Sequence, residues 1–172
     1  GLVYESQGDY PKALEMHQKA LDIKLEVLGA NHPDVATSYN NLGSVYHSQG
    51  NYPKALEMYQ KALGIWLDVL GANHPDVATS YNNMGSVYYS QGNYPKALEM
   101  YQKALGIWLE VYGENHSEVA TLYDYICSVY YSAKEQGVGL PGFKDFTQSG
   151  LFACETVGYD TPVAKAGMSG TY

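Results

Sequence analysis

The sequence predicts an all-α fold, a solenoid of antiparallel helix pairs with an irregular C-terminal tail. The first observation is repetition: residues 40–67 return as residues 82–109 with two positions changed, a period of 42 residues. The second is that apolar residues recur at helical spacing in each copy. The third is that proline and glycine separate these stretches at regular intervals. A period of this size is typical of solenoids, in which each unit buries its apolar face against the next.

Each unit contains two predicted helices. Tyr39, Leu42, Gly43 and Tyr46 fall at i, i+3, i+4 and i+7, which is the apolar stripe of a first helix. Gly43 lets a second helix approach closely, because it has no side chain. That second helix follows a turn at residues 50–52. Its small and aromatic positions are Ala55, Tyr59 and Ala62.

Local signals at the helix ends support this register. Pro33 suits a first helical turn, and Asp34 places negative charge at the positive end of the helix. His32 lies in the cap region. Gly29 suits a left-handed cap at the end of the preceding helix, as do its equivalents Gly71 and Gly113. The helices are predicted at about residues 10–28, 34–48, 52–70, 76–90, 94–112 and 117–133.

The repeat resembles the tetratricopeptide repeat, in which aromatic-x-x-Leu-Gly-x-x-Tyr precedes Ala-x-x-x-aromatic-x-x-Ala. The unit also contains Leu-Gly-x-x-His-Pro-x-Val-Ala at residues 28–36 and again at residues 70–78. With its length of 42 residues, it is similar to the repeats of kinesin light chains. The resemblance implies a right-handed superhelix and, for function, a protein-interaction surface. The residues that carry it are Tyr39, Leu42, Gly43, Tyr46, Ala55, Tyr59 and Ala62, and again Tyr81, Met84, Gly85, Tyr88, Ala97, Tyr101 and Ala104.

The repeat pattern predicts two regions. The array is expected to cover residues 1–133, with a partial unit at 1–33, full units at 34–75 and 76–117, and a half unit at 118–133. Because Gly1 aligns with Gly43 and the composition changes after Tyr131, we expect the chain to be a window from a longer protein. Residues 134–172 are predicted to be a linker or tail. Within them, residues 149–167 loosely resemble the beginning of a PDZ domain, with a linker as the alternative.

Composition excludes several classes of protein. All ten basic residues are lysines, and the net charge is −8, so a nucleic-acid partner is not expected. No apolar run approaches the length of a membrane span, and no membrane association is expected. Cys127 and Cys154 lack the spacing of a metal site, which favours free thiols and a cytoplasmic location.

No motif for catalysis is found, and we expect a non-enzyme without a cofactor. Histidines at residues 32, 74 and 116 occupy one repeat position, which indicates helix capping or packing between units rather than a metal site. His17 and His47 replace tyrosines of the neighbouring copies and are interpreted as residues of a surface or seam. No Ser-His-Asp arrangement or glycine-rich phosphate loop is identified.

The resemblance implies a concave groove lined by the first helix of each unit. The groove asparagines of the family align with Asn41 and Asn83, which suit recognition of a peptide backbone, with hydrogen bonding between repeats as the alternative. No groove position is basic, so the expected partner is a neutral or mildly basic peptide rather than an acidic one. The predicted groove residues are Asn40, Asn41, Ser44, His47, Asn82, Asn83, Ser86, Tyr89, Asp124, Tyr125, Ser128 and Tyr131.

A second surface is predicted at Trp66 and Trp108. Both align with Lys24, which favours a solvent-facing position, so they could form a ridge for self-association or a second partner; the alternative is burial against the following helix. Two functions remain at this point. The chain is expected to be a non-catalytic scaffold or adaptor that binds a peptide, or else the regulatory repeat arm of a larger enzyme or signalling protein.

Overall fold

The computed structural model describes residues 1–140, and every regular element in that range is an α-helix. Helices adjacent in sequence pack against one another, most extensively α3 on α4 and α5 on α6. The result is the expected solenoid of helix pairs. The helices are α1 (Leu2–Ser6), α2 (Tyr10–Leu28), α3 (Pro33–Ser48), α4 (Tyr52–Leu70), α5 (Pro75–Ser90), α6 (Tyr94–Tyr112) and α7 (Ser117–Glu135).

The predicted helices are confirmed. Three of the six agree with the structure at both ends, and the others differ by at most two residues at one end. The division of the chain at residue 133 stays a prediction, and α7 continues to Glu135. The PDZ-like segment at residues 149–167 lies outside the described residues. None of the helices within residues 1–140 combines the length and apolar character needed to span a bilayer.

Histidine side chains cap the first helices, as the repeat pattern indicated. The Nδ1 atom of His32 accepts a hydrogen bond from the backbone N–H of Asp34 at 3.1 Å. His74 and His116 make the same contact in the next units. At the ends of the second helices, Gly29 has a φ of 82° but a ψ of 165°. The positive φ confirms the need for glycine, whereas the ψ value lies outside the left-handed helical region.

Glycine also sets the spacing within each helix pair. A Cβ atom on Gly85 would lie 2.6 Å from the ring of Tyr101, and one on Gly43 would lie 2.6 Å from the ring of Tyr59. Both tyrosines are buried. Each tyrosine ring of a second helix therefore occupies the space that the glycine of the first helix leaves open.

The prediction of a surface formed by Trp66 and Trp108 is wrong. The two side chains are only 4% and 7% exposed. Trp66 packs with Val77 of the next unit's first helix, and Trp108 packs in a cluster that includes Val119. The prediction assumed that Lys24, at the same repeat position, faces solvent. Lys24 is itself half-buried.

Lys24 shows why a charged residue fits this inward-facing position. Its ammonium group donates hydrogen bonds to the Oγ atom of Ser38 at 3.0 Å and to the backbone carbonyl of Asp34 at 3.2 Å, both on α3. A lysine can bury its alkyl stem while its charged end finds polar partners. The repeat position therefore faces the next unit whether it holds lysine or tryptophan.

Gly64 and Gly106 have no packing role within residues 1–140. Both are exposed on the second helices, and a Cβ atom at either would meet nothing within 4 Å. Replacing either by alanine should raise the free energy of unfolding by about 0.5–1 kcal/mol, because alanine has the better helix propensity. Urea denaturation measures the change.

The control for this prediction is Gly50→Ala. Gly50 has a φ of +73°, which strains any residue with a side chain, so that variant should be less stable than the wild type. If the alanine variants at residues 64 and 106 are also destabilised, both glycines make a contact that residues 1–140 do not show.

The prediction of free thiols is wrong for Cys127. This residue is buried in α7 and is disulfide-bonded. Cys154, the other cysteine of the sequence, lies outside the described residues. The cytoplasmic location stays a prediction, but the argument from free thiols no longer supports it, because disulfides persist mainly in oxidising compartments.

Candidate binding groove

The predicted groove residues lie on α3, α5 and α7, and we call the surface that they form the groove face. Hydrogen bonds between side chains of neighbouring first helices show that these helices lie side by side. Asn83 donates from Nδ2 to Oδ1 of Asn40 at 2.9 Å. His47 Nε2 and Ser90 Oγ are 3.0 Å apart. These bonds fix the positions of polar side chains on the groove face.

The bonds share one register. Each joins a residue to the residue 43 positions later, and a third example links the hydroxyl of Tyr89 to Ser132 Oγ at 2.9 Å. The structure therefore shows hydrogen bonding between repeats for Asn83, which was the alternative to peptide recognition. Asn41 is half-buried, and its side chain makes no hydrogen bond to a residue of 1–140. Its role in binding stays a prediction, as does that of the Oδ1 atom of Asn83.

Between α5 and α7 the register is kept by Tyr89 and Ser132, but the asparagine pair is missing. Asn82 corresponds to Asn40, and its partner in the same register is residue 125, where the sequence has tyrosine instead of asparagine. The Oδ1 atom of Asn82 is buried and has no hydrogen-bond partner in the described part of the chain. An unpaired buried carbonyl costs free energy comparable to that of a lost hydrogen bond. This seam therefore lacks the amide pair that joins α3 to α5.

Two tyrosines of the second helices also reach the groove face. Tyr101 of α6 passes over Gly85, and its hydroxyl lies 3.1 Å from Ser86 Oγ on α5. Tyr59 occupies the equivalent position over Gly43. Burial raises the pKa of both phenols, so both remain neutral. The repeat pattern did not place these tyrosines on the groove face, although the glycine opposite each ring signals its path between the helices.

Beside Tyr59, the partial first unit supplies an acid to the groove face. Ser44 donates a hydrogen bond from Oγ to the Glu5 carboxylate at 2.9 Å. The equivalent of the ring at Tyr59 is His17, which is buried, with its Nε2 atom unpaired within residues 1–140. Burial lowers the pKa of His17, so the ring is held neutral.

The electrostatic character of the groove face is neutral to acidic. Neither α3 nor α5 contains lysine or arginine, and α7 has only Lys134, in its last turn. Burial lowers the pKa of His47, which keeps that ring neutral near pH 7. The acids Glu5 and Asp124 are therefore not balanced by basic residues on α3 or α5.

Lysines of the second helices are engaged elsewhere. Lys61 pairs with Glu57 at 2.8 Å, and Lys103 pairs with Glu99 at 2.7 Å, one turn away on the same helix. Lys54 lies over the ring of Tyr46, 5.3 Å from its centroid. The described residues hold no group of histidine, cysteine and acidic side chains suited to a metal ion.

The remaining predicted groove residues lie on α7. Ser128 donates from Oγ to the backbone carbonyl of Asp124 at 2.8 Å, and the hydroxyl of Tyr131 donates to the Glu135 carboxylate at 2.7 Å. Tyr125 is 42% exposed. The structure thus places all the predicted groove residues on three neighbouring helices, although several of them are already hydrogen-bonded to one another.

Comparison with known proteins identifies the repeat. A family model described as Tetratricopeptide repeat matches the chain over residues 1–68, 39–108 and 76–137. No curated protein matches the sequence.

Solved structures with the same fold come from several organisms. BtubC (BKLC) from P. vanneervenii has a TM-score of 0.71 and 24% identity, over 98% of this chain and 61% of that one. A putative kinesin light chain from Podosopora anserina, with nearly identical TPR-like repeats, has a TM-score of 0.70 and 18% identity, over 95% of this chain and 76% of that one. A Signal Transduction ATPase with Numerous Domains from Pyrococcus horikoshii, with a tetratricopeptide repeat sensor, has a TM-score of 0.60 and 23% identity, over 92% of this chain and 23% of that one.

The chain therefore spans 61% of the length of BtubC. At these identities the solved structures establish the fold, which is that of kinesin light chain-like repeats. Since the family model covers most of the sequence, the chain belongs to the tetratricopeptide repeat family.

Proposed function

We propose that this chain is a non-catalytic binding module that holds a peptide segment of a partner protein on the groove face. Tetratricopeptide repeats are protein-interaction scaffolds, and the family match supports that part of the proposal. The proposal that a peptide binds on the groove face rests on the row of half-buried polar side chains along α3, α5 and α7. Such side chains offer donors and acceptors to a peptide backbone.

The expected partner segment is neutral or mildly basic. The groove face has the acids Glu5 and Asp124, whereas neither α3 nor α5 has a basic residue. An acidic segment would meet like charge without a cation to balance it. An apolar or aromatic anchor in the segment would pack beside exposed Tyr125.

The test begins with a display library of random short peptides selected on the wild-type chain. Replacing both Asn41 and Asn83 by alanine should weaken binding of an enriched peptide by about 1–3 kcal/mol, or roughly 5- to 150-fold in Kd. The reason is that peptide amides would lose their partners in a partly desolvated groove. Fluorescence anisotropy of the labelled peptide measures the Kd.

Two controls separate binding from folding. Gln60→Ala changes an exposed residue of α4 and should leave the Kd unchanged. Because Asn83 also bonds to Asn40, the free energy of unfolding of the double variant must be measured as well. Unchanged affinity in the double variant would assign both asparagines to contacts within the protein and would contradict their role in binding.

A second function is supported by the Pyrococcus horikoshii structure. That protein is a signal-transduction ATPase in which the tetratricopeptide repeats are a sensor. By analogy, these repeats would serve as the regulatory arm of a larger enzyme or signalling protein. Both functions require a partner on the groove face, so the peptide selection tests the feature that they share.

A further inference from the structure

The carboxyl-terminal ends of the second helices lie side by side along one edge of the solenoid. Leu25 of α2 shares a hydrophobic cluster with Ile65 of α4, and Ile65 shares another with Ile107 of α6. Asn73, in the loop after α4, donates a hydrogen bond from Nδ2 to the Glu110 carboxylate of α6 at 3.0 Å. The residues at these three helix ends therefore form one surface.

An exposed valine lies at this edge in each unit. Val27 is 72% exposed, Val69 is 45% exposed and Val111 is 42% exposed. The three valines occupy the same position of α2, α4 and α6, because each lies 42 residues from the next. A single exposed valine needs no explanation, but one at the same place of every second helix gives a row that one partner could contact.

An acidic residue directly precedes each of these valines. Glu26, Asp68 and Glu110 are exposed and form no salt bridge with a residue of 1–140. None of the three helices has a basic residue in its last turn. A carboxylate at this end of a helix meets the negative end of the helix dipole, which is unfavourable. The stability of the helices therefore does not explain the acids.

Lysines of the second helices do not balance this negative charge. Lys61, the last lysine of α4, lies seven residues before Asp68, about 10 Å along the helix axis, and is paired with Glu57. Lys103 of α6 is paired in the same way. Lys24 of α2 lies nearer to the edge, but its ammonium group is hydrogen-bonded to α3. The helix ends thus combine unbalanced negative charge with exposed apolar side chains.

We propose that this row of acids and valines, which we call the acidic edge, is a docking surface for a basic amphipathic helix of a partner protein. The acidic edge is separate from the groove face, because it lies at the ends of α2, α4 and α6. An amphipathic helix carries aliphatic residues on one face and charged residues beside them. Its aliphatic residues would cover the valines. Its lysine or arginine residues would supply the counter-charge that the acids and the helix dipoles lack.

The experiment uses a fluorescein-labelled amphipathic peptide made of leucine and lysine as the probe. A charge variant of the full chain combines Glu26→Gln, Asp68→Asn and Glu110→Gln. An apolar variant combines Val27→Thr, Val69→Thr and Val111→Thr, which keeps the branched shape of each side chain. The matched control removes the same charge from exposed positions of the same helices, through Glu15→Gln, Glu57→Gln and Glu99→Gln.

Fluorescence anisotropy should give similar Kd values for the wild type and the matched control, and no binding of a probe with glutamate in place of lysine. The charge variant should bind the probe roughly 10-fold more weakly, as expected for three exposed ion pairs. The apolar variant should also bind it roughly 10-fold more weakly, because less apolar surface is buried.

Stability provides a second readout for the charge variant. Its urea midpoint should be higher than that of the wild type, because unfavourable charge is removed from three helix ends. A variant that is more stable and yet binds more weakly excludes a folding defect as the cause of the lost affinity.

Several results would overturn the inference. Failure of the probe to bind, or equal weakening in the matched control, would exclude a specific acidic edge. An unchanged Kd in the apolar variant would exclude docking on the valines. Weaker binding to the variant with Asn41→Ala and Asn83→Ala would place the probe on the groove face instead. Sedimentation that shows the wild type associating and the charge and apolar variants monomeric would make the edge an interface between copies of this chain.

Discussion

Replacing Trp108 by alanine is expected to lower the free energy of unfolding by about 3–5 kcal/mol, the usual cost of removing a buried tryptophan. The side chain is 7% exposed and belongs to a cluster that joins α6 to α7 through Val119 and Leu122. Its loss would leave a cavity between the third unit and the half unit that follows. Urea denaturation followed by circular dichroism measures the change.

Val111→Ala is the matched control on the same helix. Val111 is 42% exposed, so its truncation should change stability by about 0.5 kcal/mol or less. Trp66 remains in the Trp108 variant as a fluorescent reporter of folding. If the Trp108 and Val111 variants are equally stable, the tryptophan lies at the surface, and the prediction of a second binding surface would stand again.

Replacing Gly85 by alanine should cost about 1–3 kcal/mol, the range for overpacking a well-packed site. The added Cβ would lie 2.6 Å from the Tyr101 ring, so α5 and α6 must separate or the ring must leave its position. Gly85→Leu should cost at least as much. Thermal and urea denaturation of the alanine variant provide the measurement.

A second variant tests the cause. In a Tyr101→Ala background the ring is absent, and Gly85→Ala should then stabilise the protein by about 1 kcal/mol through helix propensity. This change of sign is a double-mutant cycle for the glycine–tyrosine contact. If Gly85→Ala is equally harmful with and without the ring, the contact does not explain the need for glycine.

Most of the fold could be predicted from the sequence, because each helix end has its own local signal. Pro33 and its equivalent Pro75 begin first helices, and Gly29 follows the end of a second helix. The helix pairing follows from the small residues at Gly43 and Ala55. These signals depend on neighbouring residues along the chain, which a sequence displays directly.

Contacts between units were harder to predict. The burial of Trp66 depends on which face of α4 meets the next unit, and Lys24 at the same position suggested solvent. The bond between Asn40 and Asn83 depends on how neighbouring first helices are offset along their axes. The disulfide of Cys127 is not signalled by any motif around that residue. The residue spacing within one repeat unit does not determine any of these three features.

The tyrosine that passes over each glycine connects the two layers of helices. Tyr101 is anchored in α6, yet its hydroxyl meets Ser86 on the groove face of α5. A partner that displaced this hydroxyl would press on the ring, which fills the space between α5 and α6 over Gly85. In this unit a single side chain therefore connects the groove face of α5 to the packing of α6. If a ligand at Ser86 displaced the ring, binding on the groove face would be coupled to the packing of α5 on α6.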